Sequence, residues 1–396
     1  MRLYEFEGKQ LFQEAKIPTP SGKVASSVDE AARAASELGY PVVLKAQVLT
    51  GGRGKAGGIQ FAADEKELGA QAEALFKLKI KEFPVERLLV EEKLAPANEY
   101  YLGVTIDRIH YQWTVIGSPS GGVDIEEVAQ EHPEQIVRLN IDPNSPMYTY
   151  QGIELAHRMG LSGDAMKTVG AVACRLFGLF RRWDCKLAEI NPLVELEDGS
   201  FVAADSRISV DDDALFRHPE LAQRGIEKRH EEGEMTPREQ QAREWDIPYL
   251  DLDGDIGMFP GGAGFGIMGN DFIHHYGGRP ANFMDSGGGP TPERLAQMLI
   301  LLDENPRVKV IFGARFGGIS RCDDFAKGVI MFLKEHGLSK PMVMRFTGNE
   351  WQEGVRIFAQ EKKANPQLFE KIEIHGIETP IEEIARRAVE LVKEAN

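Results

Sequence analysis

The chain is poor in cysteine, has no excess of positive charge and contains no long apolar run. Three cysteines (Cys174, Cys185 and Cys322) in 396 residues form neither a disulfide scaffold nor the paired spacing of a cysteine zinc site. That usage fits a reduced, intracellular protein. The 46 Lys and Arg stand against 62 Asp and Glu, a formal charge of −16. General nucleic-acid and anionic-membrane binders need the opposite balance, although a local basic pocket for a phosphorylated small molecule remains compatible with it. No stretch approaches the ~18 apolar residues that span a bilayer. Met1–Lys9 alternates charged and apolar residues, without the core of a secretion signal, so the expected location is the cytoplasm. Serine-hydrolase and HExxH patterns are missing as well. His274 and His275 are neighbours on an expected helix, point in different directions and cannot chelate together.

What is present is glycine, 41 residues of it, and a steady alternation of strand-like and helix-like stretches, the mark of α/β architecture. Ser27–Leu38 reads as a helix with Ser27 as cap and Glu30 closing the box. Pro41–Val48 and Ile59–Ala62 read as strands, with the glycine-rich loop Thr50–Gly58 between them. Further strands are expected at Arg87–Val90 and Tyr100–Ile106, an amphipathic helix over Gly160–Leu179, and a hairpin from Lys186–Val194 and Ser200–Ala204. The charged stretch Phe216–Trp245 has little strand character and reads as a linker with surface helix. It divides the chain into residues 1–240 and 241–396. The second part runs strand Ile256–Phe259, helix, strand Ala281–Met284, helix Pro292–Leu302, strand Val308–Phe312, helix from Asp323 and strand Met342–Phe346. That order predicts a doubly wound parallel sheet with ligands at the carboxyl ends of its strands.

Gly52, Gly54 and Gly57 match GxGxxG, but strand formers follow where the dinucleotide fingerprint needs a helix. Lys55 is followed by Ala56, so it is no Walker loop either. A hairpin tip of small residues can still lay backbone N–H groups over phosphates, with Lys45, Arg53 and Lys55 supplying charge. An ordinary surface turn is the competing reading. In Leu187–Ser206, Glu189, Asn191 and Asp205 are hard oxygen ligands suited to Mg²⁺. A three-residue turn Glu197-Asp198-Gly199 pairs Leu196 with Ser200 and brings Asn191 opposite Asp205, with Glu189 on the same face. A two-residue turn would separate them. Pro192 predicts a bulge or an edge position. A solvated acidic hairpin is the alternative.

In the second part, Gly264, Gly266 and Gly269 again match GxGxxG, and Asp285 ends the next strand about 20 residues on, as a dinucleotide fold requires. An NAD-dependent dehydrogenase is therefore one reading. The further loops Ser286–Gly289 and Phe316–Ile319 point instead to an extended substrate surface. Arg315, Arg321 and Arg345 lie at strand ends, where they can clamp a carboxylate.

The segments LYEFEGKQLF, KAQVLTGGRGKAGG, EYYLGVTIDR, GGVDIEEVA, YQGIELAHRMGL, EINPLV, ALFRHPEL, PANFMDSGGG and FGGISRCD together resemble the β-subunits of the succinyl-CoA synthetase family of acid–CoA ligases. The resemblance covers nearly the whole chain. It implies an N-terminal ATP-grasp domain and a C-terminal flavodoxin-like CoA-ligase domain. It also implies the reaction acid + CoA + NTP to acyl-CoA + NDP + phosphate, through an acyl phosphate and a phosphohistidine. That histidine and most of the CoA site would belong to a partner α-subunit. Nucleotide contacts would fall on Lys45, Gly52, Arg53, Gly54, Glu91, Leu94 and Glu99, and Mg²⁺ on Asn191 and Asp205. Glu189 would meet the migrating phosphohistidine, and Gly261, Gly318, Ile319 and Ser320 the acid. ATP and GTP both remain open. The nucleotide half is conventional and the acid-facing half is not: the family's VNGAG is PGGAG here, and its VNIFGGI is GARFGGI, so Gly261, Ala314 and Arg315 depart from it. Succinate is the expected acid. A lost Asn side chain and an added Arg suggest malate or citrate as alternatives, and a non-enzymatic regulatory nucleotide-binding subunit is a third reading.

Overall fold

A computed structural model describes residues 1–50, 52–81, 83–226 and 235–394. Gly51 of the glycine loop and residues 227–234 of the charged stretch lie outside the described residues. The chain forms two compact units, Met1–Glu234 and Met235–Asn396.

In the first unit Ser27 accepts the Glu30 amide at 3.2 Å and so caps the helix Val28–Leu38, satisfying one of its orphan donors. Glu30 reaches back to the Ser26 amide at 2.8 Å, one residue before the cap. Ala31, Ala34 and Ala35 make the buried stripe of this helix, at the spacing of one helical face. It covers a four-stranded antiparallel sheet in the order Gly22–Ala25, Leu88–Glu92, Val42–Ala46, Ile59–Ala62. Val42–Ala46 is buried at every residue. Because it pairs directly with Ile59–Ala62, the glycine loop is a hairpin tip, in line with its flanking strand formers.

A second sheet has Cys185–Leu196 at its centre. Phe201–Ala203 and Arg207–Val210 pair along one side of that strand, and Pro96–Asp107, Gln112–Ser118 and Val137–Ile141 follow on the other. The helix Gly163–Arg182 buries Val169, Val172, Ala173, Leu176, Phe177 and Phe180 against it. The expected start at Gly160 is not observed. Gly160, at φ +88°, terminates the preceding helix Thr149–Arg158 in the left-handed conformation that favours glycine at a helix end. The two helices meet closely at Gly152, where a Cβ would lie 2.3 Å from the Gly170 carbonyl oxygen.

The second unit is a four-stranded parallel sheet, Ile256–Pro260, Val310–Gly317, Met342–Gly348 and Ile372–His375 in that spatial order. Asn282–Met284 runs beside Ile256–Pro260. Their ladder is a single bridge at Pro280, extended by the Asn282 side chain, which exchanges hydrogen bonds with both backbone groups of Met258. Helices Ala263–His275 and Ile381–Glu394 pack with the core of one sheet face. Pro292–Asp303, Cys322–Glu335 and Trp351–Ala364 pack with the other. This is the doubly wound arrangement expected from the element order. Among the described residues no helix is long and apolar enough to cross a membrane.

Candidate functional site

The hairpin closes through the three-residue turn. Leu196 N reaches Ser200 O at 2.9 Å and Gly199 N reaches Leu196 O at 2.9 Å, with Gly199 at φ +78°. The ladder then pairs Glu195 with Phe201, Val194 with Val202 and Leu193 with Ala203. Further along, Glu189 pairs with Arg207. The register is the same on both sides of the gap, which puts Asn191 opposite Asp205. The bulge expected at Pro192 is present, as a slip between Ile190 and Leu193 on the Pro96–Asp107 side, so it leaves the hairpin count intact.

The two side chains take different neighbours. Asn191 Oδ1 accepts the Gly122 amide at 2.8 Å and its Nδ2 donates to Val123 O at 2.9 Å. Asp205 Oδ1 accepts from Arg53 Nη2 at 2.9 Å and from the Ser206 amide at 2.7 Å. Asp205 thus concentrates both bonds on one oxygen, and the amide oxygen of Asn191 retains a second lone pair. An amide oxygen and a carboxylate on facing strand positions fit a small hard cation, which would complete its shell with water and phosphate. Among the described residues, no group of three or more His, Cys, Asp or Glu is arranged to hold a metal.

Beside this pair lies a buried cluster of charge. Lys45 Nζ contacts Glu5 at 2.9 Å, Glu91 at 2.8 Å and the Ala204 carbonyl at 2.6 Å. Lys9 Nζ contacts Glu5 at 2.8 Å, Glu91 at 2.6 Å and the same carbonyl at 2.8 Å. Arg53 bridges Glu5 at 2.7 Å and Asp205 at 2.9 Å. Three cations therefore balance three carboxylates. Burial works against ionisation of Glu5, but Lys45, Lys9 and Arg53 outweigh it and hold its carboxyl well below the ordinary 4.5. Burial likewise opposes the charge on Lys45, and Glu5, Glu91 and Asp205 overcome it, raising its pKa. Gly8 lets the helix Glu5–Glu14 approach: a Cβ there would lie 2.2 Å from Ser206 Oγ.

Lys45, Arg53, Glu91 and Asp205 are thus brought together, with Asn191 across from Asp205. Gly52, at φ +84°, and Gly54 flank Arg53 in the hairpin tip. Glu189 is buried and accepts a bond from Tyr101 Oη at 3.3 Å. Burial raises its pKa, Arg207 opposes the shift and Asp205 adds to it. Leu94 is half-buried in the connection after Leu88–Glu92, and Glu99 is half-buried on Pro96–Asp107. Lys55 stays apart, exposed and paired with Glu127 at 3.0 Å. Sequence reasoning missed Glu5 and Lys9 as chemistry. Their signal was an acid and a base four residues apart on a helix that also buries Leu11 and Phe12, a polar pair beside a core-facing stripe.

In the second unit Gly261 follows the first parallel strand, its amide bonded to Ala314 O at 3.1 Å. Gly318, Ile319 and Ser320 follow Val310–Gly317. Ile319 is exposed, and Ser320 Oγ accepts the Gly289 amide at 3.0 Å. Two glycines of the dinucleotide pattern, Gly266 and Gly269, have packing roles, and Gly264 faces open space. Gly264, Gly266 and Gly269 all lie inside the helix Ala263–His275, where Gly266 touches Phe283 and Gly269 touches Met258 and Phe312. His274 and His275 are exposed on the same helix.

Comparisons with known proteins agree with this division. Residues 2–195 match the family described as an ATP-grasp domain, and residues 259–373 the family described as CoA-ligase. The chain is 40% identical over 395 residues to the β-subunit of an ADP-forming succinate–CoA ligase from Ignicoccus hospitalis, covering 100% of both chains. It is 42% identical over 358 residues to the β-subunit of a GDP-forming succinate–CoA ligase from Thermus thermophilus, covering 90% of this chain and 93% of the relative. The structure of an ATP citrate lyase from Methanothrix soehngenii, in complex with citrate and coenzyme A, superposes with a TM-score of 0.69 at 18% identity, over 98% of this chain and 99% of that one. That last likeness concerns the fold.

Proposed function

The chain belongs to the family of succinate–CoA ligase β-subunits, and on that premise we propose that it is the nucleotide-binding half of an acid–CoA ligase acting with an α-subunit in the cytoplasm. The reaction joins a carboxylic acid, succinate in the first place, to coenzyme A while a nucleoside triphosphate becomes diphosphate and phosphate. Residues 1–240 would serve as the nucleotide domain and residues 241–396 as the CoA-ligase domain. The observation that carries the reading is the charge-balanced cluster of Lys9, Lys45, Arg53, Glu5, Glu91 and Asp205 beside a glycine hairpin tip.

A triphosphate entering this cluster would exchange carboxylate for phosphate at Lys45 and Arg53, and the backbone of Gly52–Gly54 would cover it. Glu91, Leu94 and Glu99 would hold the nucleoside end. Asn191 and Asp205 would hold Mg²⁺, which supplies charge neutralisation to phosphoryl oxygens when bound. Phosphoryl transfer asks the protein mainly for positioning and electrostatics, and fixed, buried cations supply both. Glu189, with its raised proton affinity, is suited to meet an incoming imidazole of the partner. Gly261, Gly318, Ile319 and Ser320 would face the acid.

The test is reconstitution. The chain co-purified with its α-subunit should form acyl-CoA and NDP from acid, CoA and ATP or GTP, and neither chain alone should do so. A pair that binds no nucleotide and yields no acyl-CoA with succinate, malate or citrate would refute the reading.

A further inference from the structure

Arg315 breaks the pattern of its strand. Along Val310–Gly317 the residues Val310, Phe312 and Ala314 join one core face, and Ile311 joins the other. Alternation sends Arg315 to the Ile311 side, where its guanidinium lies 4.9 Å from the Phe325 ring centroid. It is 1% exposed. Nη1 reaches Ser286 Oγ at 3.4 Å, while Nε and Nη2 are buried without a hydrogen-bond partner. A buried cation with unmet donors is costly, and such groups are ordinarily paired. The neighbouring arginines are engaged: Arg321 binds Asp323 at 2.9 and 3.2 Å, and Arg345 Nε donates to Thr379 O at 2.6 Å.

The environment of Gly261 alters the meaning of its missing side chain. A Cβ at Gly261 would lie 2.6 Å from Arg315 Cδ and 3.1 Å from Nη1. Arg315 itself fills the space in which a side chain at Gly261 would begin. The site has gained charge.

We propose that Arg315 is a specificity residue for the acid substrate, its Nε and Nη2 receiving a carboxylate other than the one joined to coenzyme A. The inference rests on the acid–CoA ligase reading. Those two donors share one edge of the guanidinium and match both oxygens of a single carboxylate. The residue also sits near the carboxyl end of a parallel strand, where doubly wound sheets bind ligands. Ser286, its one hydrogen-bond partner at Nη1, opens the turn Ser286–Gly289, which the Gly289 amide ties to Ser320. The substrate class is then a di- or tricarboxylic acid, since a monocarboxylic acid leaves the donors unmet.

The experiment measures kcat and KM of the reconstituted pair with succinate, malate, citrate and propionate. Arg315→Gln should lower kcat/KM for the preferred polycarboxylate by about 100-fold or more, mainly through KM, and change propionate by less than about threefold. Arg315→Lys, which keeps charge but not the fork, should fall between. Gly261→Ala crowds the guanidinium without removing it and should move the ratio in the same direction, so the question survives if Arg315→Gln does not fold. A polycarboxylate-to-propionate ratio within about threefold of wild type in any folded variant of this set overturns the assignment. Phosphoryl transfer from ATP to the partner, run on the wild-type pair without acid, separates the outcomes. If it fails, the ligase reading falls. If it succeeds while the ratio stays put, only Arg315 loses its role.

Discussion

Glu5 is the residue on which the buried cluster turns, because Lys9, Lys45 and Arg53 all bond to it. Removing one partner of a buried ion group strands the others, at a cost of about 3–5 kcal/mol. Glu5→Gln should therefore lower the urea-unfolding free energy at pH 7 by that order. The pH dependence follows from the sign of the shift. The folded pKa of Glu5 is depressed, so its contribution is complete above the ordinary 4.5 and is lost as the pH falls through the lower folded value. The gap between wild type and Glu5→Gln should narrow in acid; a gap independent of pH would contradict the assignment. Asn191, Asp205 and Glu189 were legible one by one, since turn chemistry and strand alternation decide which residues face each other. Glu5 and Lys9 were not, because their partners arrive from residues 45, 53, 91 and 204, a convergence no local pattern encodes.

The hairpin register depends on one turn: Asp198-Gly199 marks its place but fits two residues or three, and the closure of Leu196 on Ser200 decides for three. Apolar spacing predicts a helix from Gly160, but that glycine ends the previous helix, and the next one begins at Gly163. Val310–Gly317 outruns the expected Val308–Phe312 at its far end. Its last residues pair with Phe346–Gly348, although Gly313 and Gly317 make the stretch look like a loop. Parallel pairing is a non-local reward that sequence punctuation cannot show. Helix contact makes its own prediction: Gly152→Ala places a Cβ against the backbone of Gly170, so it should destabilise the first unit by about 1–3 kcal/mol. Thermal melting of the full chain checks this, and an unchanged midpoint would mean the helices can part freely.

For the whole molecule, composition set limits and strand order set architecture: the doubly wound sheet was visible in the alternation of elements, and the antiparallel hairpin tip in the strand formers after Gly58. The first unit is negative overall yet balanced in its buried cluster, and near a strand end of the second Arg315 keeps two donors without a partner. The central claim is that Asp205, opposite Asn191 and bonded to Arg53, anchors the phosphates of a nucleotide whose terminal phosphoryl passes to the partner subunit. The direct measurement is transfer of radiolabelled γ-phosphate from ATP to the α-subunit by the reconstituted pair, wild type against a folded Asp205→Ala. The account predicts a loss of labelling rate of about 100-fold or more; labelling at the wild-type rate would contradict it.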